Sequence, residues 1–427
     1  MTRGMKDSGI EWIGLIPQEW KVWRVRHLFN IGRGRVIAQS DLIDSSLNGY
    51  PVYSSQTQND GCLGFIETFD YNCEQITWTT DGVNAGTVFL RKGRYNCTNV
   101  CGTLQTTKDD CDIHFLTYYL QFATKFYKRP DTNGAKIMNG EMADIRVLLP
   151  RVEEQQTIVK YLDKKCAKID AVITSKEEQN NLLKEQRQSI IYEVVTKGLN
   201  KNAPTKNSGV DWFGYIPESW NCKKIKYLLI DERDGIRIGP FGSSLKLDHL
   251  SELGTYKVYG QENLINDDFS LGDKYVDDEK FAELSNCELL PDDITVSMMG
   301  TIGKCSIVPQ NIERGIMDSH LIRIRLDKEK ISPKYFKLAF SENVATQQQL
   351  KLSSVGTIMS GLNSSIIKET LLIVPKLAEQ QAITEYLDTK CAELDRLIQA
   401  NITTINELKE YRESVIFETV TGKKEIC

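Results

Sequence analysis

The groups in this 427-residue chain best suited to holding a ligand are amides, hydroxyls and guanidiniums, gathered in short runs that follow apolar stretches. Residues 53–59 read YSSQTQN, and residues 259–263 read YGQEN after a comparable Lys257-Val258. Glutamine and asparagine can bond the N6/N7 edge of adenine with two hydrogen bonds, and arginine the O6/N7 edge of guanine. Tyr53, Ser55, Gln56 and Gln58 in the first run, with Tyr259, Gln261 and Asn263 in the second, are therefore candidate base contacts. Thr80 in TTDG and Met299 in SMMG follow strand-like runs at matching places, with Lys304 just beyond. Arg91 and Lys92 form a basic pair. Arg237, Ser243, Ser244 and Lys246, in the stretch GIRIGPFGSSLK, suit phosphate contacts, because small residues let backbone N–H groups approach an anion.

The same residues argue against catalysis by this chain. Gly300-Thr301-Ile302-Gly303-Lys304-Cys305 lacks the spacing of a phosphate-binding loop and the hydroxyl after its lysine. Gly32-Arg33-Gly34 lacks the third glycine of a dinucleotide fingerprint. The four histidines, His27, His114, His249 and His320, are not spaced as a metalloprotease pair or set beside a nucleophile. There is no Asn/Asp-Pro-Pro-aromatic stretch of the kind used by DNA amino-methyltransferases. The 11 cysteines include no CxxC pair, and Cys97, Cys101 and Cys111 with His114 fall short of the tight ligand pairs of structural zinc, so no metal site is expected.

The formal net charge is −5, from 53 basic and 58 acidic residues. A nucleic-acid reader of this charge would depend on local clusters such as Arg33/Arg35 and Lys223/Lys224/Lys226, or on a basic partner. The polar N-terminus and the lack of a long apolar run predict a cytoplasmic location without a membrane partner.

What must position these loops is a duplicated frame. Residues 8–20, SGIEWIGLIPQEW, match residues 208–220, SGVDWFGYIPESW, at an offset of 200. Residues 150–170, PRVEEQQTIVKYLDKKCAKID, match residues 375–395, PKLAEQQAITEYLDTKCAELD, at an offset of 225. The second copy therefore carries 25 more residues between its blocks. Each copy has a similar opening, a divergent body (about 29–149 and 229–374) and a similar tail, with the polar stretch NKNAPTKN as linker.

The tails read as long helices. Ile158, Leu162, Cys166, Ile169 and Ile173 recur at steps of four or three, as do Ile383, Leu387, Cys391, Leu394 and Ile398, which is a coiled-coil seam. At about 45 residues and ~1.5 Å per residue each would extend roughly 65 Å. Two such helices in one chain pack most simply antiparallel, with polar seam residues Lys176, Asn180 and Arg187 either fixing the register or marking a solvated gap. Residues 76–79, 88–91, 294–297 and 321–326 read as strands, and 115–128 and 333–340 as helices, giving α+β bodies. The expected division is 1–149, a recognition domain with its opening segment, 150–199, a spacer helix, 200–374, a second such domain, and 375–427, a second spacer helix.

The motifs SGxxWxGxIPxxW and LPxxxEQQxIxxYLD, each present twice, and the single GPFGSSLK resemble the specificity subunits of type I restriction-modification systems over the whole chain. The resemblance implies two tandem target recognition domains, each reading half of a split double-stranded DNA sequence, separated by two antiparallel helices that set the spacing. It implies two methylation subunits, docked mainly on residues 153–195 and 379–420 and carrying S-adenosylmethionine for transfer to adenine N6. It also implies two restriction subunits using ATP and Mg²⁺, with no cofactor on this chain. Copy one departs from the pattern, reading IGRGRVIAQSDL where copy two has GPFGSSLK. The alternatives are the specificity subunit of a two-component type II system and a structural coiled-coil adaptor.

Overall fold

The duplicated opening segments each fold into a hairpin with the same register. In the computed structural model of the chain, strand Met5–Asp7 pairs antiparallel with Leu15–Pro17, and Thr205–Asn207 with Tyr215–Pro217. The structure describes residues 3–43, 49–132, 134–231, 234–241, 244–299, 303–354 and 362–426. Trp20 and Trp220 close the hairpins and are buried. Their indole N–H groups donate to Glu154 (3.1 Å) and Glu379 (2.8 Å), the first residues of the EQQ motifs. The next residues, Gln155 and Gln380, are fully buried clamps. Each accepts from a backbone N–H at the start of a body helix (Asp112, 2.7 Å; Ser332, 2.8 Å) and donates to two carbonyls. A buried amide is tolerated only when its donors and acceptor are matched, which ties glutamine to these positions. The two sequence motifs are thus the halves of one joint, built twice.

Each body is an antiparallel four-stranded sheet beside a second sheet, of four strands in the first body and three in the second, and the order of the antiparallel strands is the same in both. In the first, the order is Val88–Arg91, Gln75–Thr79, Cys101–Thr106, Phe29–Arg33. In the second it is Cys305–Ile307, Ile294–Ser297, Leu321–Ile324, Ile236–Ile238. These second sheets each contain a parallel pair, Tyr50–Tyr53 with Arg94–Cys97 and Tyr256–Tyr259 with Gly315–Met317. Matching positions show where the additional residues of copy two lie. The offset climbs from 200 (Pro17/Pro217) to 205 (Gly34/Gly239), 218 (Thr79/Ser297), 220 (Cys101/Leu321) and 225 (Leu149/Val374). The largest step lies between Tyr259 and Ile294, where copy two inserts the short helices Gln261–Asn266 and Asp278–Glu283.

The bodies close on a strand pair drawn from both ends of each copy: Lys21–Arg24 with Arg146–Leu149, and Asn221–Lys224 with Leu371–Val374. A duplicated ion-pair triad braces it. Arg24 and Arg26 meet Asp144, and Lys224 and Lys226 meet Glu369 at 2.5 and 2.8 Å. The two ammonium groups hold the Glu369 carboxyl down at about 2. The helix expected over 115–128 begins earlier, at Ile113, because the Asp112 side chain caps it, and it tightens into a single 3₁₀ turn after Ala123. The one expected over 333–340 spans Pro333–Lys337 and widens into a π-turn, Leu338–Glu342.

The tails are single helices, Val152–Lys197 (46 residues) and Leu377–Val420 (44 residues). Gly198 and Gly422, at φ +77° and +72°, end them. Their apolar seam residues Ile158, Leu162, Cys166, Ile383, Leu387 and Cys391 are buried in the body cores. The chain forms two compact units, residues 1–177 with 402–427, and residues 178–401, so the units cut the helices rather than following the four segments read from the sequence. Within the first, Asp170 meets Arg412 at 2.9 Å and Ile169 and Ile173 pack with Ile405. Within the second, Asp395 meets Arg187 at 3.4 Å, the same pairing with the partners' helices exchanged, and Arg187 also meets Glu342 at 2.7 Å. The helical segments run antiparallel in each unit.

Asn180 is not a solvated gap. Its Oδ1 accepts from Asn401 Nδ2 at 2.9 Å, and both residues are only 7% exposed. A buried amide pair in an apolar seam favours the register that joins it. Alanine at both positions, compared with each single change, is expected to reveal a coupling of about 0.5–1.5 kcal/mol, the net value of one such bond, by urea unfolding. Additive effects would show that the pair sets no register. Among the described residues no helix is long and apolar enough to cross a membrane.

Candidate nucleic-acid interface

In each unit the loops singled out by composition leave the same ends of the body strands. In the first unit, strand Phe29–Arg33 ends, the parallel strands Tyr50–Tyr53 and Arg94–Cys97 end, and the hairpin after Gln75–Thr79 turns, all on one rim. The second unit repeats this with Ile236–Ile238, Tyr256–Tyr259, Gly315–Met317 and Ile294–Ser297. Gly34 and Gly239 make the convergence possible. Both donate their N–H to the next strand (Cys101 and Leu321 carbonyls, 2.9 Å each). A Cβ on Gly34 would stand 2.3 Å from the carbonyl oxygens of Cys97 and Thr98, and one on Gly239 would stand 1.7 Å from that of Asp318. Any larger residue would push the strand end off the turn that forms the rim.

On the first rim, Tyr53 lies with its ring 3.6 Å from the Arg91 guanidinium, and burial pushes its phenol up. Ser55 offers its carbonyl to Asn84 Nδ2 (3.1 Å) and Gln56 donates to the Cys62 carbonyl, while Gln58 is exposed. On the second rim, Gln261 Nε2 donates to Ser297 Oγ (3.0 Å) and the Met299 carbonyl (3.1 Å). Lys304 donates to the Ile265 carbonyl (2.6 Å), Met299 is 48% exposed, Lys246 is exposed, and Ser244 and Arg237 are half-buried. Ser243 lies outside the described residues.

Four of the expected contacts serve the fold instead. Thr80 is fully buried, its hydroxyl donating to the Val100 carbonyl. Arg91 is 2% exposed, paired with Asp60 at 2.7 Å and packed between the rings of Tyr53 and Phe89. Tyr259 is buried with its hydroxyl on the Glu313 carbonyl (2.6 Å). Asn263 is 3% exposed and satisfies Gly260 N–H and the Asp268 and Leu271 carbonyls. Buried in this way, these side chains present no donor or acceptor to a base. Lys92 is exposed but sits beside Glu74 (3.9 Å), at the far end of the strand from Thr80. The sequence had no signal separating these from free groups, since runs of polar residues read alike whether they face inward or outward.

The rims also gather the Arg33/Arg35 cluster and a histidine that composition did not mark as a contact. Arg33 donates to the Asn99 carbonyl (2.5 Å), Arg35 pairs with Asp70 (2.8 Å), and His320 stands 3.2 Å from Asp318. The register of the duplicated glycines is the signal that brings these positions together. Cys97 and Cys101 lie in an apolar cluster with Tyr95 below this rim, and the Cys101 thiol donates to the Tyr53 carbonyl (3.5 Å). Cys111 instead faces Asp110 and His114 faces Glu74, so the four possible ligands are not brought to one point. The arrangement supplies two similar frames, each carrying a different set of donors, acceptors and cations on its rim.

Comparison with known proteins returns one family. The model described as type I restriction modification DNA specificity domain matches residues 17–185 and again 240–410. The type I restriction enzyme MjaVIII specificity subunit of Methanocaldococcus jannaschii is 24% identical over 426 residues, covering 96% of this chain and 93% of that one. The type I restriction enzyme MpnII specificity subunit of Mycoplasma pneumoniae is 34% identical over 143 residues, 34% of this chain and 43% of that one. Several of the Mycoplasma relatives are thus matched over only about half of their length, 53% to 59% in three of them. A chain from a structure described as the basis of complex assembly and conformational transition of the type I R-M system has the same fold, with a TM-score of 0.67 at 13% identity over 96% of this chain and 99% of that one.

Proposed function

The chain belongs to the type I restriction modification DNA specificity family, and from that premise we propose that it is the non-catalytic reader of a bipartite double-stranded DNA target. Each body reads one half of the sequence through its rim, and the paired helices set the spacing between halves. The helical regions and their joints dock two methylation subunits, which carry S-adenosylmethionine and methylate adenine N6. Two restriction subunits, using ATP and Mg²⁺, complete the nuclease, and this chain binds no cofactor of its own.

The observation that carries this reading is the repetition of one rim on two equivalent frames with different side chains at its loops. A shared frame with divergent contacts is what two unrelated half-sites require, since base-edge contacts specify while the frame positions. At a net charge of −5, much of the phosphate neutralisation would fall to the partner subunits in such a complex.

Long-read mapping of adenine methylation tests it, in cells expressing this chain with a methylation subunit from its own genomic neighbourhood. The expected result is a split motif, two short half-sites separated by unspecified bases, that disappears when this chain is omitted. A co-purifying complex that adds no methylation would favour a structural adaptor instead.

A further inference from the structure

Five large apolar side chains among the described residues are three-quarters or more exposed: Val36, Val83, Phe241, Leu247 and Leu253. Burying such groups is favourable, and single exposed ones are ordinary on a surface. Two of the five hold equivalent places in the duplicated frame. Val36 (75%) and Phe241 (81%) occupy the same position in the two units, two residues after the equivalent glycines Gly34 and Gly239. Both glycines pack against the turns at 97–98 and 318, so both side chains leave the rim at one geometric point of the duplicated frame. The identities differ, valine in one copy and phenylalanine in the other, but both are apolar.

The flanking residues give the position its partner. Arg33 and Arg35, the latter paired with Asp70, precede Val36 at its strand end, and Arg237 and Lys246 bracket Phe241 in the sequence. An apolar tip among cations does not suit the apolar core of a protein interface, where charges are depleted. It does suit a duplex, whose phosphates engage the cations while the thymine 5-methyl is the apolar group displayed in the major groove.

Resting on the function proposed above, we infer that Val36 and Phe241 are equivalent apolar base contacts, each packing on a thymine methyl in its own half-site. Each half-site then contains an A·T pair read by this contact. Because the two sit in different units, each governs one half only.

The test uses the complex of the full chain with its methylation subunits and duplexes carrying the mapped site, with uracil replacing thymine one position at a time. Binding is followed by fluorescence anisotropy. For the natural chain, uracil at one position of the half-site read by the second unit is expected to weaken binding about fourfold, the value of one buried methyl-sized group. Phe241→Ala is expected to weaken binding to the thymine duplex by at least that factor and to abolish the uracil effect in that half alone. Val36→Ala should do the same in the other half, and Phe241→Leu should restore part of the sensitivity. The inference is overturned if uracil has no effect at any position with the natural chain, or if Phe241→Ala keeps its uracil sensitivity. A natural complex that recognises no bipartite site at all would sink the function reading first, and this inference with it.

Discussion

Replacing Trp220 with alanine is expected to destabilise the second unit by about 3–5 kcal/mol, the cost of emptying a buried aromatic site. The indole is fully buried, donates to Glu379, and lies against the end of the first long helix, where a Cβ on Gly198 would come within 3.0 Å of its ring. Truncation therefore removes packing and an inter-element hydrogen bond together, and leaves the Glu379 carboxylate without its indole donor. Trp20→Ala should act likewise on the first unit, where the ring is 1% exposed and meets Phe115 edge-on at 6.4 Å. Calorimetric unfolding measures both, at about 2–4 °C of Tm per kcal/mol for units of this size. Leu253→Ala, at a residue 90% exposed, serves as the comparison and should change stability by no more than about 0.5 kcal/mol. A loss at Trp220 no larger than that at Leu253 would show that the joint does not hold the unit together.

Exchanging residues 29–149 for the corresponding body of another family member is expected to change one half of the recognised sequence and leave the other half and the spacing intact. The structural reason is the strand pair that closes the body. Arg146–Leu149, the last strand of the exchanged piece, pairs with Lys21–Arg24 of the frame, so the incoming body is anchored on a strand that the exchange leaves in place. The incoming body must still provide an acid at the place of Asp144, because Arg24 and Arg26 converge on it, as Lys224 and Lys226 do on Glu369. Methylation mapping of the exchanged chain is the readout. A motif altered in both halves, or in neither, would defeat the assignment of one rim to one half-site.

The repeat itself, the two long helices and the α+β bodies were legible in the chain. Heptad spacing and turn-bounded apolar runs are local patterns, and duplication at fixed offsets needs no coordinates to be seen. The observed helices Val152–Lys197 and Leu377–Val420 lie inside the spacer segments read from the sequence, 150–199 and 375–427, and the second segment runs seven residues past the end of its helix. The strand reading over 76–79, 88–91 and 294–297 also coincides with ladder strands. The family resemblance rested on the same motifs, and the chain does belong to that family.

What the sequence determined by itself is the repeated frame, since the residues that build it announce themselves by identity at matched positions. Tryptophan, glutamine and glutamate recur at 20/220, 155/380 and 154/379 because a buried indole and a buried amide admit few substitutes. The direction in which each loop side chain points was decided only by tertiary structure. Thr80, Arg91, Tyr259 and Asn263 share the composition of an exposed polar run, yet Thr80, Arg91 and Tyr259 bond carbonyls or a carboxylate brought near from distant parts of the chain, and Asn263 bonds the nearby Gly260 N–H and the Asp268 and Leu271 carbonyls. Those partners lie 20 or more residues away for Thr80, Arg91 and Tyr259. Burial is a property of the neighbours a residue acquires on folding, and no local pattern encodes neighbours that arrive from another strand.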